Sequence, residues 1–125
     1  MAESAPPYEL VFEERKDYLY ARVSANSIDP ATALQYLSEI SRKCAVKGID
    51  QIMLVRNIPK MLNDGDLYFT AIGFQQMIGT RRVAFVNPYR DIREDMKFAV
   101  VVGMNRGGQY NIFDTEVEAE RWLLE

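Results

Sequence analysis

Two short runs constrain this chain more than anything else in it. Ile52-Met-Leu-Val55 and Val83-Ala-Phe-Val86 are apolar at every position. A strand with one face in water alternates apolar and polar residues. An unbroken apolar run suits an interior strand covered on both faces. Each run lies between stretches of helical spacing, and strands separated by a dozen or more helical residues are joined by right-handed crossovers and lie parallel. The pattern predicts a single α/β domain built on a mixed, mostly parallel sheet.

The flanking segments complete the order. Residues 8–13 and 18–24 roughly alternate, with Leu19, Ala21 and Val23 on one face, and the polar stretch 14–17 between them reads as the turn of a hairpin. Asp29-Pro30 opens a first helix, Asp as N-cap and Pro at the first helical position. Leu34, Leu37, Ile40, Ser41 and Cys44 follow on one face, and Gly48 stops it. A second helix spans Asp64–Ile78. A third starts at Asp91, where Asp91 and Glu94 have capping-box spacing. Val100, Val101 and Val102 favour strand, but the cap and Gly107-Gly108 beyond the expected end predict helix through residues 98–104. Residues 109–113 form the last strand. Thr115 and Glu118 cap a final helix with Ala119, Trp122 and Leu123 facing inward. The order is β-β-α-β-α-β-α-β-α over residues 8–125, after a short disordered lead at residues 1–7 that contains Pro6 and Pro7.

Composition removes whole classes of chemistry. The 125 residues contain no histidine and one cysteine. Ser-His-Asp and Cys-His nucleophile systems therefore cannot be built within the chain, nor can zinc sites of His or clustered Cys. No cofactor or metal motif is present. A lone cysteine forms no intrachain disulfide, which predicts a reducing, cytoplasmic setting. No apolar stretch approaches the ~20 residues that cross a bilayer, and the first residues lack the features of a signal peptide. The net charge of -3 weighs against nucleic acid as a partner.

Three stretches carry a family likeness: Arg82-Val-Ala-Phe-Val-Asn-Pro88, Arg93-Glu-Asp-Met-Lys-Phe98 and Ile112-Phe-Asp-Thr-Glu-Val-Glu-Ala-Glu-Arg-Trp-Leu123. With the element order, they resemble the anti-sigma-factor antagonist (STAS, SpoIIAA-like) family, and within it the group associated with CRAL-TRIO lipid-binding domains. The resemblance implies a regulatory module whose phosphorylatable serine lies in a Met-Asp-Ser-Ser-Gly stretch at a helix start. The comparable stretch here is Met61-Leu-Asn-Asp-Gly65. Asn63 and Asp64 hold the two serine positions before Gly65, so a phospho-switch has no hydroxyl to act on. A helix start by itself selects Asn and Asp.

Two places stand out for binding. The loop Asn87-Pro-Tyr-Arg-Asp-Ile-Arg93 follows an interior strand and precedes a helix, where open α/β sheets bind ligands. Arg90 and Arg93 would hold an anion there, with Tyr89 as a wall, unless they pair with Asp91, Glu94 and Asp95 on a solvated face. Residues 81–106 hold six basic and three acidic side chains, a local charge of +3. The second place is the helix after Gly65. Tyr68, Phe69, Ile72, Phe74 and Met77 spread its apolar surface beyond one stripe, as a ligand cavity, a protein interface such as a homodimer, or close burial by neighbours would require. Paired Asp64 and Asp66, and Glu13 and Glu14, come with no partner at catalytic spacing. The leading expectation is a non-catalytic STAS-like module acting through contact with a protein partner. The alternative is a small carrier of a lipid or other hydrophobic anion. A small enzyme has the least support.

Overall fold

The computed structural model describes residues 7–125; of the lead expected at residues 1–7, the first six lie outside the described residues. The elements are β1 (Glu9–Glu14), β2 (Leu19–Ser24), α1 (Pro30–Lys47), β3 (Gln51–Asn57), α2 (Asp64–Ile78), β4 (Arg82–Val86), a 3-10 turn (Arg90–Ile92), α3 (Arg93–Asn105), β5 (Gln109–Phe113) and α4 (Glu116–Leu123). One five-stranded sheet runs β1-β2-β3-β4-β5 in chain order. β1 and β2 form an antiparallel hairpin, and every later pair is parallel.

That order dictates the layers. When successive parallel strands are added on one side, right-handed crossovers leave every connecting helix on the same face. α1, α2 and α3 accordingly pack side by side, with α2 in the middle. Beneath them lies the larger core, in which Leu19, Ala21 and Val23 of β2 meet Ile52 and Leu54 of β3, Val83 of β4 and Tyr110 of β5. Among the described residues α4 alone covers the opposite face. There Ala119 and Leu123 close over Met53, Val55, Ala84 and Val86, and the Tyr18 hydroxyl donates to Glu120 at 2.8 Å. The two all-apolar runs are thus covered on both faces, although α4 is only 8 residues long.

The middle position of α2 accounts for its broad apolar surface. Leu67, Thr70, Phe74 and Ile78 are buried, and its flanks meet helices on both sides. At Gly73 an added Cβ would lie 3.0 Å from Leu34 of α1, so the missing side chain allows the two helices their approach. The Ser41 hydroxyl of α1 then donates to the Met77 carbonyl at 3.0 Å.

The helix ends follow their local chemistry with one exception. Asp29 accepts from the Thr32 N–H at 2.7 Å, and Gly48 ends α1 in the left-handed region at φ 66. Asn63 accepts from the Asp66 N–H at 2.9 Å, and Thr115 from Glu118 at 3.3 Å. The exception is α3. The expected Asp91–Glu94 capping box does not form: Asp91 lies inside the 3-10 turn, and α3 begins at Arg93 with no side-chain cap. The turn is set earlier, by Asn87, whose Oδ1 accepts from the Tyr89 N–H at 3.1 Å and whose Nδ2 donates to the Tyr89 carbonyl at 3.0 Å. Asp91 is left without the extended backbone an N-cap needs, and Glu94 pairs with Lys97 instead. Residues 98–104 are helical despite three consecutive valines. Val100 and Val102 are buried, and burial outweighs an unfavourable propensity of a few tenths of a kcal/mol per residue.

Candidate ligand cavity

β3 carries an apolar sequence up to Val55 and then Arg56. Strand side chains alternate, so Arg56 shares a face with Ile52 and Leu54. Its register partner on β2 is Val23, itself in the core beneath α1, α2 and α3. The guanidinium is therefore carried into the helix-covered side of the sheet, and Arg56 is 5% exposed. Its Nη1 donates to the Ile58 carbonyl and its Nη2 to the Lys60 carbonyl, each at 2.9 Å. Those two bonds use fewer than half of its N–H donors. Among the described residues no carboxylate lies within ion-pair distance of it.

Arg56 forms one wall of a cavity of about 70 Å³ between the sheet and the three helices. Phe74 of α2, Phe85 of β4 and Tyr110 of β5 supply an aromatic wall, with ring centroids 5.4 to 6.1 Å apart. Met61 and Leu62, from the loop that Arg56 holds by its carbonyls, border it too. Of the lining residues, Arg56, Thr70 of α2, Tyr36 of α1 and Tyr110 carry polar side-chain groups. Burial pushes the Tyr36 phenol above its ordinary pKa, and the neighbouring Arg56 cation opposes the rise. The Tyr110 hydroxyl is bonded to Gln75, and burial holds its pKa well above the usual phenol range. At pH 7 both phenols are neutral, and the one formally charged residue of the lining is Arg56.

The cavity lies under the loop that follows β3, at the carboxyl end of the parallel strands, where the topology of open α/β sheets favours ligand sites. A wider groove of about 620 Å³ opens nearby, beside Ser24, Asn57 and Tyr89. Three of its polar side chains are occupied with one another: Tyr89 donates to Asn57 Oδ1 at 2.7 Å, and Asn57 Nδ2 donates to Ser24 at 3.2 Å.

The residues singled out from sequence are dispersed. Of Tyr68, Phe69, Ile72, Phe74 and Met77, Phe74 lines the cavity. Ile72 and Met77 are half-buried. Tyr68 accepts from Arg106 at 2.9 Å and packs edge-on against Phe69, which is 71% exposed. Tyr89 points to Asn57, Arg93 forms an ion pair with Asp114, and Arg90 is exposed, so the three do not converge on one site. Asn63, Asp64 and Gly65 form an exposed helix start in which Asn63 is the cap. The positive excess over residues 81–106 does not become a patch. Arg81 binds the Ile49 and Ile78 carbonyls and Arg82 those of Trp122 and Leu123, at the end of β4 away from Arg90 and Arg93.

Cys44 is fully buried, and burial pushes its thiol up to about 11 while Arg81 opposes the rise. It is an inert core side chain. Comparison with protein-family models and with curated proteins finds no match. Among the described residues no helix is long and apolar enough to cross a membrane.

Sequence reasoning missed Arg56, although a signal was there. It is the one charge in β3, placed in register with Ile52 and Leu54 by the two-residue period.

Proposed function

We propose that the chain is a non-catalytic binding module that takes a small hydrophobic anion into the cavity beside Arg56. One observation carries this reading: Arg56 is 5% exposed, lines a mostly apolar cavity, and has no carboxylate partner among the described residues. Burying an uncompensated charge costs several kcal/mol even after the protein relaxes. Two carbonyl bonds to a charged donor return about 3–6 kcal/mol of that. An anion completes the pair, and its apolar body replaces water against Phe74, Phe85 and Tyr110. The chain's lack of histidine, the usual base that activates a hydroxyl nucleophile, supports binding rather than turnover. The free thiol of Cys44 supports a reducing, cytoplasmic setting.

The lipid-carrier form of this reading fits less well, because a cavity of about 70 Å³ is smaller than the roughly 150 Å³ that accommodates benzene. Native mass spectrometry, with the same sample then denatured, tests the proposal. Added mass that disappears on denaturation is the expected result. A bare chain whose melting temperature no hydrophobic anion raises would overturn it.

A second reading, a STAS-like regulatory module working by protein–protein contact, has its own support. Phe69 of α2 is 71% exposed, and Phe98, Val101 and Met104 along α3 are 42–51% exposed. Regulation through Asn63-Asp64-Gly65 would then work without phosphorylation. A mass that grows with concentration, or a partner whose binding is lost in Phe69→Ser, would favour this reading.

A further inference from the structure

The two edges of the sheet differ. At the β5 edge, Asn111 Oδ1 accepts from the Ile112 N–H at 2.8 Å, so the strand's own side chain occupies a backbone donor. β1, at the other edge, keeps an unbroken six-residue register with β2. It has no proline and no bulge, two of the devices that blunt an edge. We propose that the free edge of β1 is a strand-addition site for an extended segment of a partner protein, one whose side chains toward α1 are apolar and acidic. This site stands apart from the cavity beside Arg56.

The backbone supplies the first argument. The Arg15 N–H donates to the Tyr18 carbonyl at 3.0 Å, and these two residues continue the β1–β2 register beyond Glu14 and Leu19. Bonded and non-bonded pairs alternate along an antiparallel ladder. Glu9, Val11 and Glu13 are therefore the bonded residues, and the N–H and C=O groups of Leu10, Phe12 and Glu14 point away from β2. Among the described residues β1 meets a strand on one side only. Such outward groups are what an added strand pairs with.

The side chains supply the second. Leu10 and Phe12 pack against the core and, with Val46 of α1, which is 75% exposed, line a groove along the edge. Its charged residues are Glu39, Arg42, Lys43 and Lys47. The Tyr8 hydroxyl already donates to Glu39 at 2.5 Å, and Lys47 pairs with Glu14 at 3.7 Å. Arg42 and Lys43 have no carboxylate partner among the described residues. The groove is thus locally positive in a chain of net charge -3. Side chains of a strand alternate between its faces, so every second residue of an added strand enters this groove. An apolar one meets Phe12 and Val46, and an acidic one meets Arg42 and Lys43.

A second copy of the chain fits this edge poorly. The two-fold axis of an antiparallel pair of edges stands perpendicular to the sheet, so both copies of α1 would lie on one face. Their Arg42, Lys43 and Lys47 would then share one seam, like charge against like.

The test uses the full chain and two capped peptides longer than β1, with threonine at every odd position. One alternates valine and glutamate at the even positions, and the other has lysine in place of glutamate. Fluorescence anisotropy measures binding, and amide hydrogen exchange followed by NMR locates it. The glutamate peptide should bind and should slow exchange of the Leu10 and Phe12 amides. The lysine peptide should bind about tenfold or more weaker, although the protein's net charge favours it. In Arg42→Glu/Lys43→Glu the preference should reverse. N-methylation of the glutamate peptide at one set of alternate residues should abolish binding, and at the other set should leave it. Equal or tighter binding of the lysine peptide to the unmodified protein would overturn the acidic assignment. Binding that survives N-methylation of either set, or that leaves exchange at Leu10 and Phe12 unchanged, would overturn strand addition. A dimer that protects the same amides without peptide would assign the edge to a second copy and overturn the proposal, as would no binding of either peptide. The peptide comparisons need no variant, so a folding defect in Arg42→Glu/Lys43→Glu does not shield the proposal.

Discussion

Replacing Gly103 with alanine should destabilise the protein, against the usual effect of that substitution in a helix. Gly103 lies within α3, where an alanine ordinarily gains about 1 kcal/mol. Here an added Cβ would lie 2.8 Å from Tyr110 Cδ2 and closer still to the adjoining ring carbon. Real Cβ atoms do not approach carbon so closely, so Tyr110 or α3 must move. Tyr110 is held by its hydrogen bond to Gln75 and by ring contacts with Phe74 and Phe85. Overpacking of this kind costs typically 1–3 kcal/mol, and the fixed ring places it at the upper end. Net of the propensity gain, the loss is about 2 kcal/mol. With about 2.1 cal/mol/K of unfolding entropy per residue over 125 residues, that lowers the melting temperature by about 8 °C. Thermal unfolding followed by circular dichroism measures it. The double variant Gly103→Ala/Tyr110→Leu removes the ring and should recover part of the alanine penalty relative to Tyr110→Leu alone. A melting temperature unchanged or raised in Gly103→Ala, or strict additivity in the double variant, would refute the close packing of α3 on β5.

Other predictions concern single groups. Asn63→Ala removes the acceptor for the Asp66 N–H and should cost about 1 kcal/mol, or about 4 °C in melting temperature, whereas Asn63→Ser should be close to neutral. The Cys44 thiol, pushed up to about 11 by burial, should resist a thiol-specific chromogenic disulfide at pH 8 in the folded protein and react at once in denaturant. Fast reaction of the native thiol would contradict its placement on the buried face of α1. Asp29 caps α1 through the Thr32 N–H, and that hydrogen bond holds its carboxyl below the ordinary value of 3.8. A lowered native pKa means that the carboxylate's contribution is complete above 3.8 and is lost as pH falls through the native value. The melting-temperature advantage of the unmodified protein over Asp29→Asn should therefore be present at pH 7 and close below about pH 4. An advantage that persists into stronger acid would contradict the capping geometry.

The fold was legible because its signals were local. The strand runs, Asp29-Pro30, Gly48 and Thr115 each set a boundary through bonds within a few residues, and a parallel sheet with capped helices follows from them. The extent of α2 could be read as well, but its excess of apolar residues could not be interpreted. Its meaning depended on a neighbour on each flank, and sequence does not show which helix sits in the middle of a layer. The start of α3 was misread for a related reason: Asp91 and Glu94 have the right spacing, but Asn87, four residues earlier, had already shaped the turn. The candidate site was the least legible part. Arg90 and Arg93 drew attention as a pair in a loop, and tertiary contacts sent one to Asp114 and left the other in solvent. Arg56 drew no attention, one residue past the apolar run Ile52–Val55. Its burial depended on the loop after β3 folding back to offer two carbonyls and to close the cavity with Met61 and Leu62, a long-range outcome that no local pattern encodes.

The most direct measurement is a high-resolution crystal structure of the protein as purified. The account predicts Arg56 inside the core, bonded to the Ile58 and Lys60 carbonyls, with the density of a small anion beside it in the cavity lined by Phe74, Phe85 and Tyr110. A cavity holding only ordered water, or an Arg56 side chain turned out to solvent, would contradict it.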